Sequence, residues 1–157
     1  MRSNIINLSE EDQQAVSAAL FNSMADTFSL YFKTHSYHWN VTGSNFFSLH
    51  TLFEEQYTNM WEALDELAER MRTLGNAAPV SSTTLVKHSG IAEAKEGKIS
   101  STDMVKDLAE GHKHLVATLN AAFKVAQENG DEVTVGMLTE RLDFHEKAYW
   151  MLRSSVE

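Results

Sequence analysis

Four side chains in one stretch are chemically suited to holding a metal ion: His50, Glu54, Asp65 and Glu69. His50 with Glu54, and Asp65 with Glu69, are i,i+4 pairs, the spacing at which two side chains of a helix lie one turn apart and can share an ion. Imidazole with carboxylates suits iron, manganese or zinc and leaves positions open where an oxidant binds. The chain has no cysteine, which excludes thiolate zinc sites, cysteine-ligated iron–sulfur clusters, disulfide scaffolds and cysteine nucleophiles. Any metal is therefore held by nitrogen and oxygen, and ferrous iron is the expected redox metal.

With His50 set at zero and about 100° per residue, Trp61 falls near 20°, Glu54 near 40°, Asp65 near 60° and Glu69 near 100° of a helix. Phe53, Tyr57, Met60, Leu64, Leu67 and Met71 form an adjacent apolar stripe. Along the axis, Glu54 and Asp65 are separated by roughly 16 Å, too far for one ion about 2 Å from each ligand. One helix cannot close the site. Two copies packed antiparallel about a two-fold axis near residue 60 would bring the His50/Glu54 end of one to the Asp65/Glu69 end of the other, giving two equal sites. Thr58, Trp61 and Ala68 lie on the face around that axis, and His38, just before a short turn, lies beside the start of the same helix. The set is then two imidazoles and three carboxylates. The competing reading is a row of solvated acids on an exposed helix face, and spacing alone leaves both open.

The elements that must position these residues are helices. Proline occurs once, at Pro79, while Ala, Leu, Glu, Met and Gln are abundant, a composition that favours an all-α chain. Ser9 ahead of Glu10, Glu11 and Asp12 reads as a capped helix start, and Val16, Leu20, Met24 and Phe28 recur at helical spacing. The expected layout is one domain over 1–157: a tail over 1–8, helix one over 9–39, helix two over 44–75 capped by Ser44 or Asn45, a crossover over 76–100, helix three over 101–129 and helix four over 131–153. The crossover is rich in Gly and Ser, with a short helix expected around Thr84 to His88, and Ser100 with Asp103 caps helix three. Two hairpins joined by a long crossover give a ferritin-like four-helix bundle with a short helix between helices two and three. Bundles of this kind usually place their di-iron site inside, with Glu-x-x-His pairs. The residues three before the seven histidines are Phe32, His35, Phe47, Leu85, Ala109, Gly111 and Leu142, so no such pair exists.

The run Lys33-Thr34-His35-Ser36-Tyr37-His38-Trp39-Asn40-Val41-Thr42-Gly43, with Phe46-Phe47-Ser48-Leu49-His50, Phe53-Glu54-Glu55-Gln56-Tyr57 and Asp65-Glu66-Leu67-Ala68-Glu69-Arg70, strongly resembles the Dps family of mini-ferritins. The resemblance implies a hollow dodecamer built from two-fold dimers. It implies ferroxidase sites, expected to hold two irons each, that oxidise Fe(II) with hydrogen peroxide or dioxygen and deposit Fe(III) mineral inside, protecting against oxidative damage. His38, His50 and Glu54 would come from one subunit and Asp65 and Glu69 from its two-fold mate. Glu54 stands where many relatives carry aspartate. Trp39 stands where similar proteins use a tryptophan to capture oxidising equivalents, or else it packs the helix end.

Other residues carry weaker expectations. His35 is expected to pack, with a further metal or a hydrogen bond to a ligand as the alternative. His112, His114 and His145, without an acidic partner at ligand spacing, are expected to be surface or packing residues. Asp131 and Glu132 open helix four where the family's three-fold iron entry pore is expected, with partners of the helix dipole as the alternative, and Gly136 stands where another pore acid belongs. Glu55 and Glu62 are candidates for nucleating mineral. Thirteen Lys and Arg against twenty-two Asp and Glu give a formal charge of −9, which repels nucleic acid and anionic membranes and attracts cations. Family members often condense DNA through lysine-rich tails. Here the start offers Arg2 and the amino group, and the end reads Arg153-Ser154-Ser155-Val156-Glu157. The expectation is no appreciable DNA binding, no membrane and a cytoplasmic protein. The alternatives are a nucleoid-associated DNA condenser, or a cage that binds a non-iron metal without turnover.

Overall fold

Ser9 starts the first long helix by accepting a hydrogen bond from the Asp12 amide (3.0 Å), with three acids in the first turn facing the positive helix end. In a computed structural model describing residues 5–157, five helices follow one another and no strand occurs among the described residues: α1 Glu10–Asn40, α2 Phe46–Thr73, α3 Ser82–His88, α4 Ser101–Glu128 and α5 Glu132–Ser154. The helices read from the sequence as three and four are thus α4 and α5. Arg2 and the amino terminus, named above for DNA contact, lie outside the described residues.

Between α1 and α2 the chain turns over Gly43, whose φ of +110° is open to glycine and strained for other residues. Asn45 occupies the N-cap position of α2, yet neither it nor Ser44 caps by its side chain. The Phe46 amide instead donates to the Gly43 carbonyl (3.1 Å), so the turn closes through backbone alone and α2 starts directly after Asn45. At its other end α2 stops over Gly75, with Gly75 donating to Arg72 and Asn76 to Met71, the paired bonds of a left-handed glycine stop. Gly130 ends α4 in the same way, through bonds to Gln127 and Ala126.

α1 and α2 form one antiparallel hairpin and α4 and α5 the other, with Leu20, Leu30, Phe53, Met60, Leu108, Leu115, Leu119 and Leu138 buried between them. The crossover spans the bundle and is fastened to it by Asp26. That buried carboxylate accepts from Ser89 Oγ (2.9 Å), the Gly90 amide (2.8 Å) and Thr118 Oγ1 (2.6 Å), so one acid on α1 ties the loop to α4. No described helix is long and apolar enough to cross a membrane.

α1 and α4 touch closely at Gly111, where an added Cβ would lie 2.5 Å from Leu30 Cδ1. Helix propensity alone would make Gly111→Ala a gain of about 1 kcal/mol. Leu30 is fully buried and cannot swing away, so overpacking of about 1–3 kcal/mol wins. The substitution is expected to lower the denaturant midpoint, and a raised midpoint would show that α1 and α4 separate freely here.

Candidate metal centre

His38 and His50 meet across the hairpin turn. Each ring nitrogen Nδ1 donates to the other residue's backbone carbonyl: His38 Nδ1 to His50 O (2.7 Å) and His50 Nδ1 to His38 O (2.8 Å). The rings stack 3.8 Å apart and nearly parallel, 12° between planes. A carbonyl only accepts, so both Nδ1 atoms carry the proton and both Nε2 atoms keep their lone pair in the neutral ring. Fixing Nδ1 on a backbone oxygen is how ligating histidines are held in one tautomer and one orientation. His38 is buried and His50 half-buried, with Phe46 stacked on the outer side of His50 at 4.9 Å.

Glu54 is exposed one turn beyond His50 on α2, and Asp65 and Glu69 are exposed further along the same helix. The fold thus brings His38 to His50 and leaves Asp65 and Glu69 at a distance from them. Among the described residues no group of three or more histidines and acids gathers to hold a metal within this single chain. The α1–α2 hairpin also carries unburied aromatic side chains: Phe32, Trp39, Phe46, Phe47 and Trp61, the last 61% exposed. Large apolar rings left in water on one hairpin, beside exposed acids, form a surface suited to a partner.

Trp39 is 58% exposed, packs edge-on to Phe32 and lies 4.2 Å from the His35 ring. His35 Nδ1 hydrogen-bonds with the Tyr31 hydroxyl (3.1 Å) and the ring stacks on Tyr57 at 3.8 Å. Burial, and then the neighbouring His38, lowers the pKa of His35, which favours the neutral ring. Glu55 and Glu62 are exposed on α2.

Two expectations need correction. Asp131 is buried: it caps α5 by accepting from the Thr134 amide (3.1 Å) and pairs with Arg70 Nη2 at 2.7 Å. Arg70 follows Glu69, so this acid locks the end of α2 to the start of α5, and its oxygens are taken by that latch. His114 does have an acidic partner, Asp26 at 3.3 Å, which came from another helix and so left no trace in sequence spacing.

His112 and His145 pack, as expected, but as a fully buried pair in the bundle centre. Arg141 Nη1 donates to Asn59 Oδ1 (2.7 Å) and Nη2 to His145 Nε2 (3.0 Å), and the two histidines join Nδ1 to Nδ1 at 2.9 Å. Arginine only donates, so His145 Nε2 is the acceptor and its proton sits on Nδ1. That proton goes to His112 Nδ1, which leaves the His112 proton on Nε2, a buried atom without a partner among the described residues. No lone pair remains for a cation, and the guanidinium repels one. Burial, then Arg141, pushes His112 down to about 3, and burial with His112 and Arg141 holds His145 well below the usual histidine range. The site this pair would have suggested is closed. The signal available in sequence was His112 lying in line with Leu108 and Leu115, on the apolar stripe of α4.

Residues 17–157 match the family described as "Ferritin-like domain". The DNA protection during starvation protein of Brevibacillus brevis is 38% identical over 145 residues, covering 92% of this chain and 97% of that protein. The crystal structure of the DPS protein from Vibrio cholerae O1, described as a member of a broad superfamily of ferritin-like diiron-carboxylate proteins, superposes with a TM-score of 0.93 at 33% identity, covering 100% of this chain and 98% of that one. A Dps protein from Bacillus brevis superposes with a TM-score of 0.89 at 37% identity, covering 94% and 98%.

Proposed function

The chain belongs to the Dps family of ferritin-like proteins, and from that premise we propose that it oxidises ferrous iron with hydrogen peroxide at a site shared by two copies and stores the ferric product in a cage of twelve. Iron is the substrate here. The observation that carries the reading is the reciprocal His38–His50 pairing, which orients two imidazole lone pairs.

In this reading His38 and His50 supply nitrogen and Glu54 supplies oxygen from one copy, while Asp65 and Glu69 of the mate complete the set. The exposed rings on the α1–α2 hairpin are covered by the mate, so water is excluded where the two copies meet. Two ferrous ions give one electron each, one hydrogen peroxide accepts both with two protons, and two waters leave. Trp39, beside His35, is placed to intercept a stray oxidising equivalent. Dioxygen is the alternative oxidant. The protein is proposed to work in the cytoplasm, without a membrane.

Anaerobic addition of Fe(II) followed by a measured pulse of peroxide tests this directly: oxidation is expected at one peroxide per two irons, and a rate no faster than buffer would refute it. Persistent metal binding without oxidation would favour the inert-metal cage. Native mass is expected near twelve times 17.7 kDa. The charge of −9 argues against a DNA condenser, and duplex DNA held more tightly than about 1 μM at roughly 0.15 M salt would revive that reading.

A further inference from the structure

His50 carries a ring on each face. His38 stacks on it 3.8 Å away and 12° from parallel, and Phe46 stacks on it at 4.9 Å and 24°. Among the described residues no ring contact joins Phe46 to His38, so the two take opposite faces of the imidazole. The result is a column of three rings, Phe46, His50 and His38, with Tyr57 packed against His38 at 5.1 Å and 66° between planes. Local sequence builds the outer end. Phe46 is the first residue of α2 and lies one turn before His50, at the i,i+4 spacing that puts both side chains on one face. Its backbone is held by the amide bond to the Gly43 carbonyl (3.1 Å).

The two histidines differ in what holds them. His38 is 7% exposed, so the surrounding protein fixes its ring. His50 is half-buried, and its bond to the His38 carbonyl (2.8 Å) restrains one atom of the ring, Nδ1. The torsion that turns an imidazole about its Cβ–Cγ bond has a broad minimum. One bond at Nδ1 therefore leaves the plane room to tilt, and the Nε2 lone pair turns with it. A flat ring on the outer face resists that tilt, whereas a flexible apolar group covers the face without setting its angle.

We infer that Phe46 is a positioning residue for the proposed oxidation site: it holds the plane of His50, and with it the direction of the Nε2 lone pair, before a ferrous ion arrives. The inference rests on the proposed ligand role of His50. Phe46 touches neither iron nor oxidant in this role and acts through the imidazole alone. A ligand ordered in advance binds at lower cost, because nothing has to be immobilised when the metal enters. The effect therefore falls on metal affinity and leaves the rate at saturation alone, since a ring already ligated is held by the metal. Losing a group that orients a ligand typically weakens metal affinity by about 10–100-fold.

The test separates a flat ring from apolar cover. Phe46→Tyr and Phe46→Trp keep a plane over His50, while Phe46→Leu and Phe46→Met keep the cover and lose the plane. Native mass and circular dichroism show which variants are assembled and folded, and where one member of a pair fails, the other carries the comparison. Cobalt(II), titrated into the assembled protein without oxidant, reports ligation through its visible absorption at a site that His50→Ala removes. The first pair is expected to bind cobalt as the unsubstituted protein does, and the second pair about 10–100-fold more weakly. With Fe(II) and peroxide, the half-saturating iron concentration is expected to rise in the second pair by the same factor, with the rate at saturation unchanged. Equal cobalt affinity in both pairs overturns the inference, as does a lower saturated rate at unchanged affinity, or cobalt binding that His50→Ala leaves intact. Failure of the unsubstituted protein to oxidise iron would instead overturn the proposed function, and the cobalt series still decides whether Phe46 positions His50.

Discussion

Protein carrying His50→Ala, and protein carrying Asp65→Ala, are each expected to oxidise Fe(II) no faster than buffer, while an equal mixture of the two, after subunit exchange, recovers about one quarter of the original activity. The fraction follows from how a shared site is built. In the proposed site, His50 comes from one copy and Asp65 from its mate. In a random mixture half of the copies keep His50 and half of their mates keep Asp65, so about one site in four is whole. A site contained in one chain predicts no recovery at any ratio.

The expected effect is large because each substitution removes a proposed ligand, whereas even losing a group that only orients a ligand typically weakens metal affinity by about 10–100-fold. Exchange must be demonstrated separately, by mass spectrometry of isotopically distinct copies. Complete inactivity in confirmed mixed dimers would argue against the shared site. Ala at either position is compatible with helix, and Asp65 is exposed; His50→Ala also removes the bond to the His38 carbonyl, so circular dichroism and native mass must show each variant folded and assembled.

How far the site was legible in the sequence depended on whether it obeyed one helix's period. His50, Glu54, Asp65 and Glu69 lie on one element, so spacing alone placed them on one face and showed that they are too far apart for one ion. His38 was legible because its helix ends at a short turn, which restricts where the next helix can begin. The reciprocal bonds to backbone carbonyls were not, since they depend on the rotamers of two residues on different helices. The same holds for Asp26, which gathers Ser89, Gly90, Thr118 and His114 from the crossover and from α4. Asp131 was read as either a pore acid or a helix-start partner, and spacing could not choose the second for a related reason. An acid at a helix start looks free for an ion, and only the packing of α2 against α5 brings Arg70 to it. Helix ends with glycine stops were read well because Gly75 and Gly130 act through local backbone; at the start of α2 Asn45 holds the N-cap position, but the closure uses backbone and not the side-chain cap that its type suggested.

Acid should destabilise the fold through His112 and His145, which are buried in neutral form and linked to Arg141. In the unfolded chain each histidine takes a proton as pH falls through about 6.5. In the folded protein His112 stays neutral until about 3, held down first by burial and then by Arg141, and His145 is lowered by burial, by His112 and by Arg141. Arg141 stays charged through this range despite burial, which brings it only to about 10, with Glu66 and Glu140 opposing. The unfolded state therefore binds protons that the folded state refuses, so stability is full above about pH 6.5 and declines as pH falls from there toward 3. Each refused proton contributes a slope of up to about 1.4 kcal/mol per pH unit, so the pair reaches about 2.7. Carboxylates add their own acid dependence, which a variant with both histidines replaced isolates. His112→Leu with His145→Gln keeps an acceptor for Arg141 and removes both titrating rings. Its denaturation free energy between pH 6.5 and 4.5 is expected to fall less steeply than that of the unsubstituted protein, by up to that same margin. Parallel acid limbs in the two proteins would mean that the pair is already protonated when folded, and that the proton order from Arg141 through His145 to His112 is wrong.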